Sequence, residues 1–261
     1  MYWGYLSKTV SIKTVSEELK RGIFEVEGLF AGYGLTVGNA IRRVLLSSLP
    51  GAAITQVKIK NVSHEFSTLP GIKEDIVELS LNFKKLRFRM TVDEPQFLTL
   101  KAKGEKIVTA ADIKTNSNVE LLNPEELLAN LTDKNAELDV EIRVERGIGY
   151  SSVDSRKEEE KLAIGTIAID AFFSPITNVS YSVDNMRVGD RTDYNRLRIE
   201  IETDGIISPS AALHKASKIL NDHFQSISEV KVNEFDVVRS EEKKEGKEAK
   251  PKKKASKKSK E

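Results

Sequence analysis

Six segments of the sequence alternate apolar and polar residues, and this alternation restricts the possible folds more than any other feature. A period of two residues is typical of a β-strand that buries one face and exposes the other. The segments are GIFEVEG (22–28), QVKIKNV (56–62), LRFRMTV (86–92), DVEIRVE (139–145), NVSYSV (178–183) and RLRIEIE (196–202). The sequence therefore predicts six half-buried strands.

Three further stretches have apolar residues at helical intervals, so helices are predicted beside the strands. The first has one face made of Ile72, Ile76, Leu79, Phe83 and Leu86. The second begins near Thr36, a candidate cap, and ends before Pro50-Gly51, with a face made of Ile41, Val44, Leu45, Ser48 and Leu49. The third begins after a candidate cap at Ser208, with proline at its first position, and its stripe is Leu213, Ala216, Leu220, Phe224 and Ile227.

Composition sets the class of protein. With 261 residues and 39% hydrophobic content, the chain is long enough to bury a core and to form one or two domains. It has no cysteine, which excludes disulfides, thiolate metal sites and a cysteine nucleophile. The first ten residues do not resemble a secretory leader, and no apolar run reaches the roughly 18 residues of a membrane span. We therefore expect an intracellular, cytoplasmic protein.

Charge is segregated along the chain. Residues 241–261 hold ten lysines and five glutamates, a balance of +5, so the rest of the chain carries about −4 of the formal total of +1. This tail has no large apolar residue and is predicted to be disordered. Two roles for it stay open, namely solubilisation and sequence-independent binding of nucleic-acid phosphates through Lys252, Lys253, Lys254, Lys257 and Lys258.

No catalytic constellation is visible in the sequence. The three histidines, His64, His214 and His223, lack metal-ligand spacing. Glu200, Glu202 and Asp204 alternate on the last predicted strand and are interpreted as its solvent face rather than a metal site. We expect no catalytic residue, no metal and no cofactor.

A glycine-rich turn, GYGLTVG (32–38), precedes the second predicted helix. Such a turn cradles phosphates in some nucleotide-binding enzymes, but here the glycine spacing departs from the dinucleotide fingerprint and the G-K-[ST] ending is missing. Glycines that simply permit a tight turn are the better interpretation. A nucleotide-binding enzyme using Gly32, Gly34 and Gly38 stays as an alternative, and so does a free-standing nucleic-acid-binding protein using the tail.

Several separated motifs resemble one known family. GLTVGNAIRRVLLSSLPG, HEFSTLPGIKEDIVELSLNFKKL, VERGIGY, IDAFFSP and DRTDYNRLRIEIETDG occur in that order over roughly residues 5–235. They resemble the amino-terminal portion of the bacterial-type RNA polymerase alpha subunit. The resemblance implies an α+β fold with a discontinuous dimerisation domain, residues 1–51 and 177–237, and an inserted, mostly β domain, residues 52–176. Residues 238–261 would form the disordered tail.

The resemblance also implies a function and its site residues. The family's homodimer nucleates assembly of the beta and beta-prime subunits and is a non-catalytic part of a nucleotidyltransferase. By resemblance, beta docking falls to Arg42, Arg43 and Leu46, and beta-prime docking to Lys84 and Ile169. Strand core is the alternative for Ile169, and a solvated helix end for Lys84. The implied dimer interface consists of Ile41, Val44, Leu49, Leu213, Leu220 and Phe224.

The sequence departs from the family pattern at two points. Leu35 stands where many members have histidine. Members commonly continue into a small carboxy-terminal domain that contacts promoter DNA, whereas this sequence has the lysine-rich tail. The function of that domain is therefore not part of the expectation for this chain.

Overall fold

A computed structural model describes residues 10–157 and 165–231. Within these ranges the strands are β1 (Ser11–Glu17), β2 (Arg21–Leu29), β3 (Pro50–Ile59), β4 (Phe88–Met90), β5 (Gln96–Lys103), β6 (Lys106–Thr109), β7 (Ile113–Lys114), β8 (Val119–Leu121), β9 (Leu127–Leu131), β10 (Glu137–Ile148), β11 (Tyr150–Ser151), β12 (Thr166–Ala168), β13 (Ala171–Phe172), β14 (Ile176–Val188) and β15 (Arg191–Thr203). The helices are α1 (Tyr33–Ser47), α2 (Ile76–Lys84), α3 (Val153–Lys157) and α4 (Pro209–Ser228). All six predicted strands overlap observed ones, and the mixed content contains more strand than helix.

The first sheet takes its strands from both ends of the described chain. Its order is β1-β2-β15-β14, and every neighbouring pair is antiparallel. Helices α1 and α4 contact each other and pack against this sheet. Their shared core includes Phe24, Leu45, Leu49, Leu197, Ile199 and Leu213. Two helices that are distant in the sequence thus contribute to one core.

The second sheet is built from the middle of the chain. Its order is β7-β5-β10-β3-β4-β8, and the short strand β12 pairs with β3. The long strand β10 lies antiparallel between β3 and β5. Helix α2 adds its buried side chains to the core of this sheet, namely Ile76, Leu79 and Phe83.

Helix α2 begins later than its apolar spacing predicts. Asp75 caps it by accepting a hydrogen bond from the Glu78 N–H at 2.6 Å. Ile72 therefore lies outside the helix, where it forms an isolated bridge with Leu131. The spacing of Ile72 matched the helical period, but a good cap at Asp75 and a strand partner for Ile72 set the actual boundary.

The chain leaves the first sheet and returns to it at one place. At Gly51 in β3, an added Cβ would lie 1.9 Å from the carbonyl oxygen of Phe173, just before β14 begins. A side chain at residue 51 therefore has no space, and glycine permits the two segments to touch.

Two arginines, one just before β4 and one within it, bind the segment between β15 and α4. Arg87 Nε lies 3.5 Å from Asp204 Oδ2, and Arg89 Nη2 donates to the Ile206 carbonyl at 3.1 Å. The Asp204 side chain is only 7% exposed, and burial raises the pKa of its carboxyl group. The interpretation of Asp204 as part of a solvent face is therefore wrong, because its side chain is buried beside Arg87.

We expect Arg87→Ala to lower the free energy of unfolding by about 1–3 kcal/mol at neutral pH, because it leaves a buried carboxylate without its cation. The carboxyl's raised pKa means that its protonated form is favoured in the folded chain. The protonated Asp204 carboxyl therefore stabilises the folded chain at low pH, and this stabilisation is lost as the pH rises through the raised pKa. The Arg87→Ala penalty should therefore shrink on acidification.

Urea unfolding of wild-type and Arg87→Ala chains across a pH series measures this penalty. Asp204→Asn is the control, since adding it to Arg87→Ala should remove the pH dependence of the penalty. A penalty that is equal at every pH would show that Arg87 acts through its other contacts. Those contacts are hydrogen bonds from Nη1 to the Lys84 and Leu86 carbonyls, each 3.1 Å.

Candidate assembly surfaces

The amino-terminal end of α1 is held by a residue far away in the sequence. Asn195 Oδ1 in β15 accepts hydrogen bonds from the Gly32 N–H at 2.9 Å and the Gly34 N–H at 3.3 Å. Gly32 is the cap and has a φ of 85°, a conformation that favours glycine. The prediction of Thr36 as the cap is wrong, since the helix already begins at Tyr33.

The other glycines of this turn bring α1 close to the first sheet. An added Cβ would lie 2.6 Å from Val183 Cγ1 at Gly34 and 2.8 Å from Leu197 Cδ1 at Gly38. Both glycines are buried, and the Gly34 amide already donates to Asn195. A phosphate cradle needs open amides, so the alternative of a nucleotide site here is contradicted.

The outer face of α1 is exposed and carries both apolar and cationic groups. Leu35, Asn39, Arg42 and Leu46 follow one another at intervals of four, three and four, so they share one side of the helix. Leu35 is 60% exposed and Leu46 37%. Arg43 is exposed beside them. We call these five residues the α1 surface.

The two arginines of the α1 surface differ in how they are held. Arg42 Nε donates to the Val179 carbonyl of β14 at 3.3 Å, which ties its side chain to the first sheet. The Arg43 guanidinium has no hydrogen bond or ion pair with any residue of 10–157 or 165–231. Of the two arginines of the α1 surface, Arg43 is therefore the one that no described residue engages.

A second surface lies where α2 approaches β12. Lys84 Nζ, at the end of α2, lies 3.5 Å from Asp170 Oδ2 and 5.9 Å from the ring centre of Tyr150. Asp170 Oδ1 accepts from the Val153 N–H at 2.9 Å. This hydrogen bond, with those from Tyr150 and Lys84, holds the pKa of Asp170 below its usual range. The Asp170 carboxylate thus orients Lys84 at the surface.

A third surface is the carboxy-terminal half of α4. The buried residues of α4 all lie in its first half, the last of them being Ala216, whereas every residue from 221 to 231 is exposed. This end of the described chain carries large apolar side chains, Phe224 and Ile227 on the helix and Val230 just after it, which are 61%, 66% and 70% exposed. An apolar stripe of this size on a polar helix is typical of an interface.

Comparison with known proteins gives these surfaces a context. The family model described as RNA polymerase Rpb3/RpoA insert domain matches residues 57–174. A protein of Moorella thermoacetica named DNA-directed RNA polymerase subunit alpha is 48% identical over 226 residues, which make up 85% of this chain and 72% of the relative. Its namesake from Symbiobacterium thermophilum is 49% identical over 216 residues, or 82% of this chain and 68% of the relative.

The chain belongs to the family of DNA-directed RNA polymerase alpha subunits. A further member with that name, from Alkaliphilus oremlandii, is 47% identical over 214 residues, 82% of this chain and 67% of the relative. The likeness thus extends well outside the insert-domain match and includes most of the described chain.

Burial corrects part of the implied alpha-subunit interface. Ile41, Leu49 and Leu213 are 7%, 1% and 6% exposed and belong to the core of the first sheet. Val44 and Leu220 are partly buried against the same core. These side chains face the interior because α1 and the first half of α4 lie on the sheet. Phe224 is the implied interface residue that is exposed.

Ile169 is likewise corrected from a docking side chain to a core residue. It is 5% exposed, its N–H donates to the Thr55 carbonyl at 2.9 Å, and its carbonyl accepts from Arg156. The core interpretation of Ile169 therefore holds. Lys84, which bonds the neighbouring residue Asp170, lies at the surface.

Sequence reasoning missed Leu35 as a surface residue of the alpha-subunit fold. Its spacing from Asn39, Arg42 and Leu46 was visible in the sequence, but a predicted helix start at Thr36 excluded Leu35 from the helix.

The five tail lysines, Lys252, Lys253, Lys254, Lys257 and Lys258, lie outside the described residues, and their role stays a prediction. Each helix within 10–157 and 165–231 is too short or too polar to cross a bilayer.

Proposed function

We propose that the chain is a scaffold of DNA-directed RNA polymerase, a homodimer that nucleates assembly of the beta and beta-prime subunits and performs no catalysis itself. The observation that carries this proposal is 47–49% identity to proteins named as polymerase alpha subunits over 82–85% of the chain. As part of an enzyme that transcribes DNA into RNA in bacteria, it would act in the cytoplasm.

We propose residues 1–51 and 177–237 as a discontinuous dimerisation domain, residues 52–176 as an inserted domain and residues 238–261 as a tail. The support is that β2 pairs with β15 across most of the sequence, while the middle strands make a second sheet with its own core. The close approach of Gly51 and Phe173 lies at both domain boundaries.

Beta docking is assigned to the α1 surface, with Arg43 as its free cation, Arg42 as a cation held by β14, and Leu35 and Leu46 as apolar contacts. A cation flanked by apolar groups suits a protein partner that supplies a carboxylate in a largely dry interface. Beta-prime docking is assigned to the surface at Lys84, where the neighbouring carboxylate fixes the cation's position.

Dimerisation is assigned to the exposed half of α4. A twofold interface brings the same patch of both copies together, so one apolar stripe on α4 supplies both sides. Phe224, Ile227 and Val230 would each lose solvent contact on association.

Co-expression with beta and beta-prime subunits, followed by size-exclusion chromatography with light scattering, tests the proposed function. The expected product contains two copies of this chain and one of each large subunit. A chain that elutes separately from both subunits, under conditions where the two subunits are folded, would contradict the scaffold role.

A further inference from the structure

Strand β12 is an edge strand on the side away from β3. It pairs with β3 over three residues, Thr166 to Ala168, and no second strand of the described chain lies beside it. An unpaired strand edge presents N–H and C=O groups that another extended segment can bond. The register tells which of its groups are involved.

Antiparallel pairs alternate between those that exchange hydrogen bonds and those that do not. The Ile169 N–H donates to the Thr55 carbonyl, so the Ile169 position is of the bonded kind. Ile167, opposite Val57, is bonded too by the same alternation. The backbone groups of Thr166 and Ala168 therefore point away from β3, and both residues are half-exposed.

Helix α2 borders the same edge with apolar side chains. A groove of about 240 Å³ lies between them, lined on the helix side by Val77, Ser80, Leu81 and Lys84 and on the strand side by Ile167 and Ala168. Val77 is 40% exposed and Leu81 56%, although the opposite side of α2 is part of the core. The helix thus extends the apolar layer of the sheet beyond its last strand.

We propose that this groove receives an extended segment of the beta-prime subunit, which adds a strand to the second sheet beside β12. Its backbone bonds the outward groups of Thr166 and Ala168, and every second side chain packs on Val77 and Leu81. The occupant is extended rather than helical because one wall of the groove is strand backbone that no other described strand pairs, and only another backbone satisfies such a wall throughout. The inference rests on the proposed function, whose beta-prime surface it shares.

The resemblance implies a beta-prime docking role for Ile169, yet its side chain is buried. Strand addition explains such a role, because the partner would bond the backbone beside Ile169 and not its side chain. Ile169 directly follows β12 and is fixed by Thr55 and Arg156, while Asp170 next to it holds Lys84. The strand edge and the cation are therefore parts of one rigid unit. Lys84 lies at the groove, where it can meet a carboxylate or carbonyl of the added strand.

Hydrogen exchange of the complete assembly, compared with the dimer bound to beta alone, tests the mode of binding. Peptides that cover residues 165–170 should gain protection of two amides when beta-prime is present, and peptides of α2 should gain little, since helix amides are already bonded. A complex that forms with unchanged exchange at 165–170 overturns strand addition but leaves the scaffold role intact. Failure of beta-prime to join at all contradicts the proposed function instead.

A pair of substitutions at Ala168 isolates the backbone contribution. Ala168→Pro removes an outward N–H from an edge position where proline is tolerated, and should weaken beta-prime retention about tenfold, as expected for one lost hydrogen bond. Ala168→Ser keeps the N–H and should retain beta-prime fully. Equal retention by both variants, each shown to be folded and to capture beta, overturns the proposal.

Leu81→Glu tests the apolar wall and does not depend on how the proline variant folds. It should reduce beta-prime retention at least about tenfold, because a carboxylate would be buried under the added strand. Ile107→Glu is the matched control, since Ile107 is a comparably exposed apolar residue of the second sheet's region at 66% and lies away from the groove lining. Similar effects of the two variants would contradict a site at α2.

Discussion

Phe224→Asp should convert the proposed dimer to a monomer that stays folded. Phe224 is 61% exposed in the single chain, so an aspartate there costs the fold little. In the dimer the change acts twice, and each buried phenylalanine is worth about 1.5–3 kcal/mol before the cost of burying the new charge. The dissociation constant should therefore rise by at least about 100-fold.

Light scattering across a dilution series measures this change, with circular dichroism as the test of folding. Gln225→Asp adds the same charge one residue further along the exposed half of α4 and should leave the dimer largely intact. Leu220→Asp is a less specific variant, because Leu220 packs partly on the core and its loss should also destabilise the chain. A Phe224→Asp protein that remains dimeric would remove the α4 stripe from the interface.

Arg43→Ala should leave the dimer intact and weaken beta capture by about 30- to 3,000-fold. Loss of one member of an interfacial charge pair typically costs about 2–5 kcal/mol, much of it from the partner charge left buried and unpaired. Arg43 makes no side-chain hydrogen bond or ion pair in the described chain, so its removal should not disturb α1. The effect is thus expected in binding and not in stability.

Pull-down of limiting beta subunit by tagged dimer measures the Arg43 effect. Arg187→Ala is a suitable control. The Arg187 side chain is 70% exposed and lies near the end of β14, whereas Arg42 is bonded to Val179 near the start of that strand. Arg42→Ala should have a smaller effect on binding than Arg43→Ala, because Arg42 already donates to Val179. Normal capture by Arg43→Ala together with a defect in Arg42→Ala would reverse the two roles.

The strands and the start of α4 followed from neighbouring residues. Alternation alone located all six predicted strands, since a half-buried strand needs apolar side chains at every second position. Ser208 and Pro209 correctly marked the start of α4, where the Ser208 side chain accepts from the Ala211 N–H. Strand alternation and helix capping both depend on residues a few positions apart, so the sequence alone is sufficient to predict them.

The start of α1 shows where local signals were insufficient. Thr36 is a normal capping residue, yet Asn195 from a distant strand satisfies the first amides of the helix. Asp204 is similar, since alternation assigned it to solvent, whereas the tertiary structure buries it beside Arg87. In both cases the deciding partner is more than a hundred residues away and is invisible to any local pattern.

Burial divided the interface residues in the same way. A helical stripe is apolar for two different reasons, to fill a core or to meet a partner, and the spacing of Leu213, Leu220 and Phe224 is identical under either. Only the extent of the sheet and of α1 beside α4 separates them, because these elements cover Leu213 and leave Phe224 exposed. The sequence by itself determines which side chains are hydrophobic. Only the tertiary structure decides which of them remain exposed, because that depends on where the packed elements end.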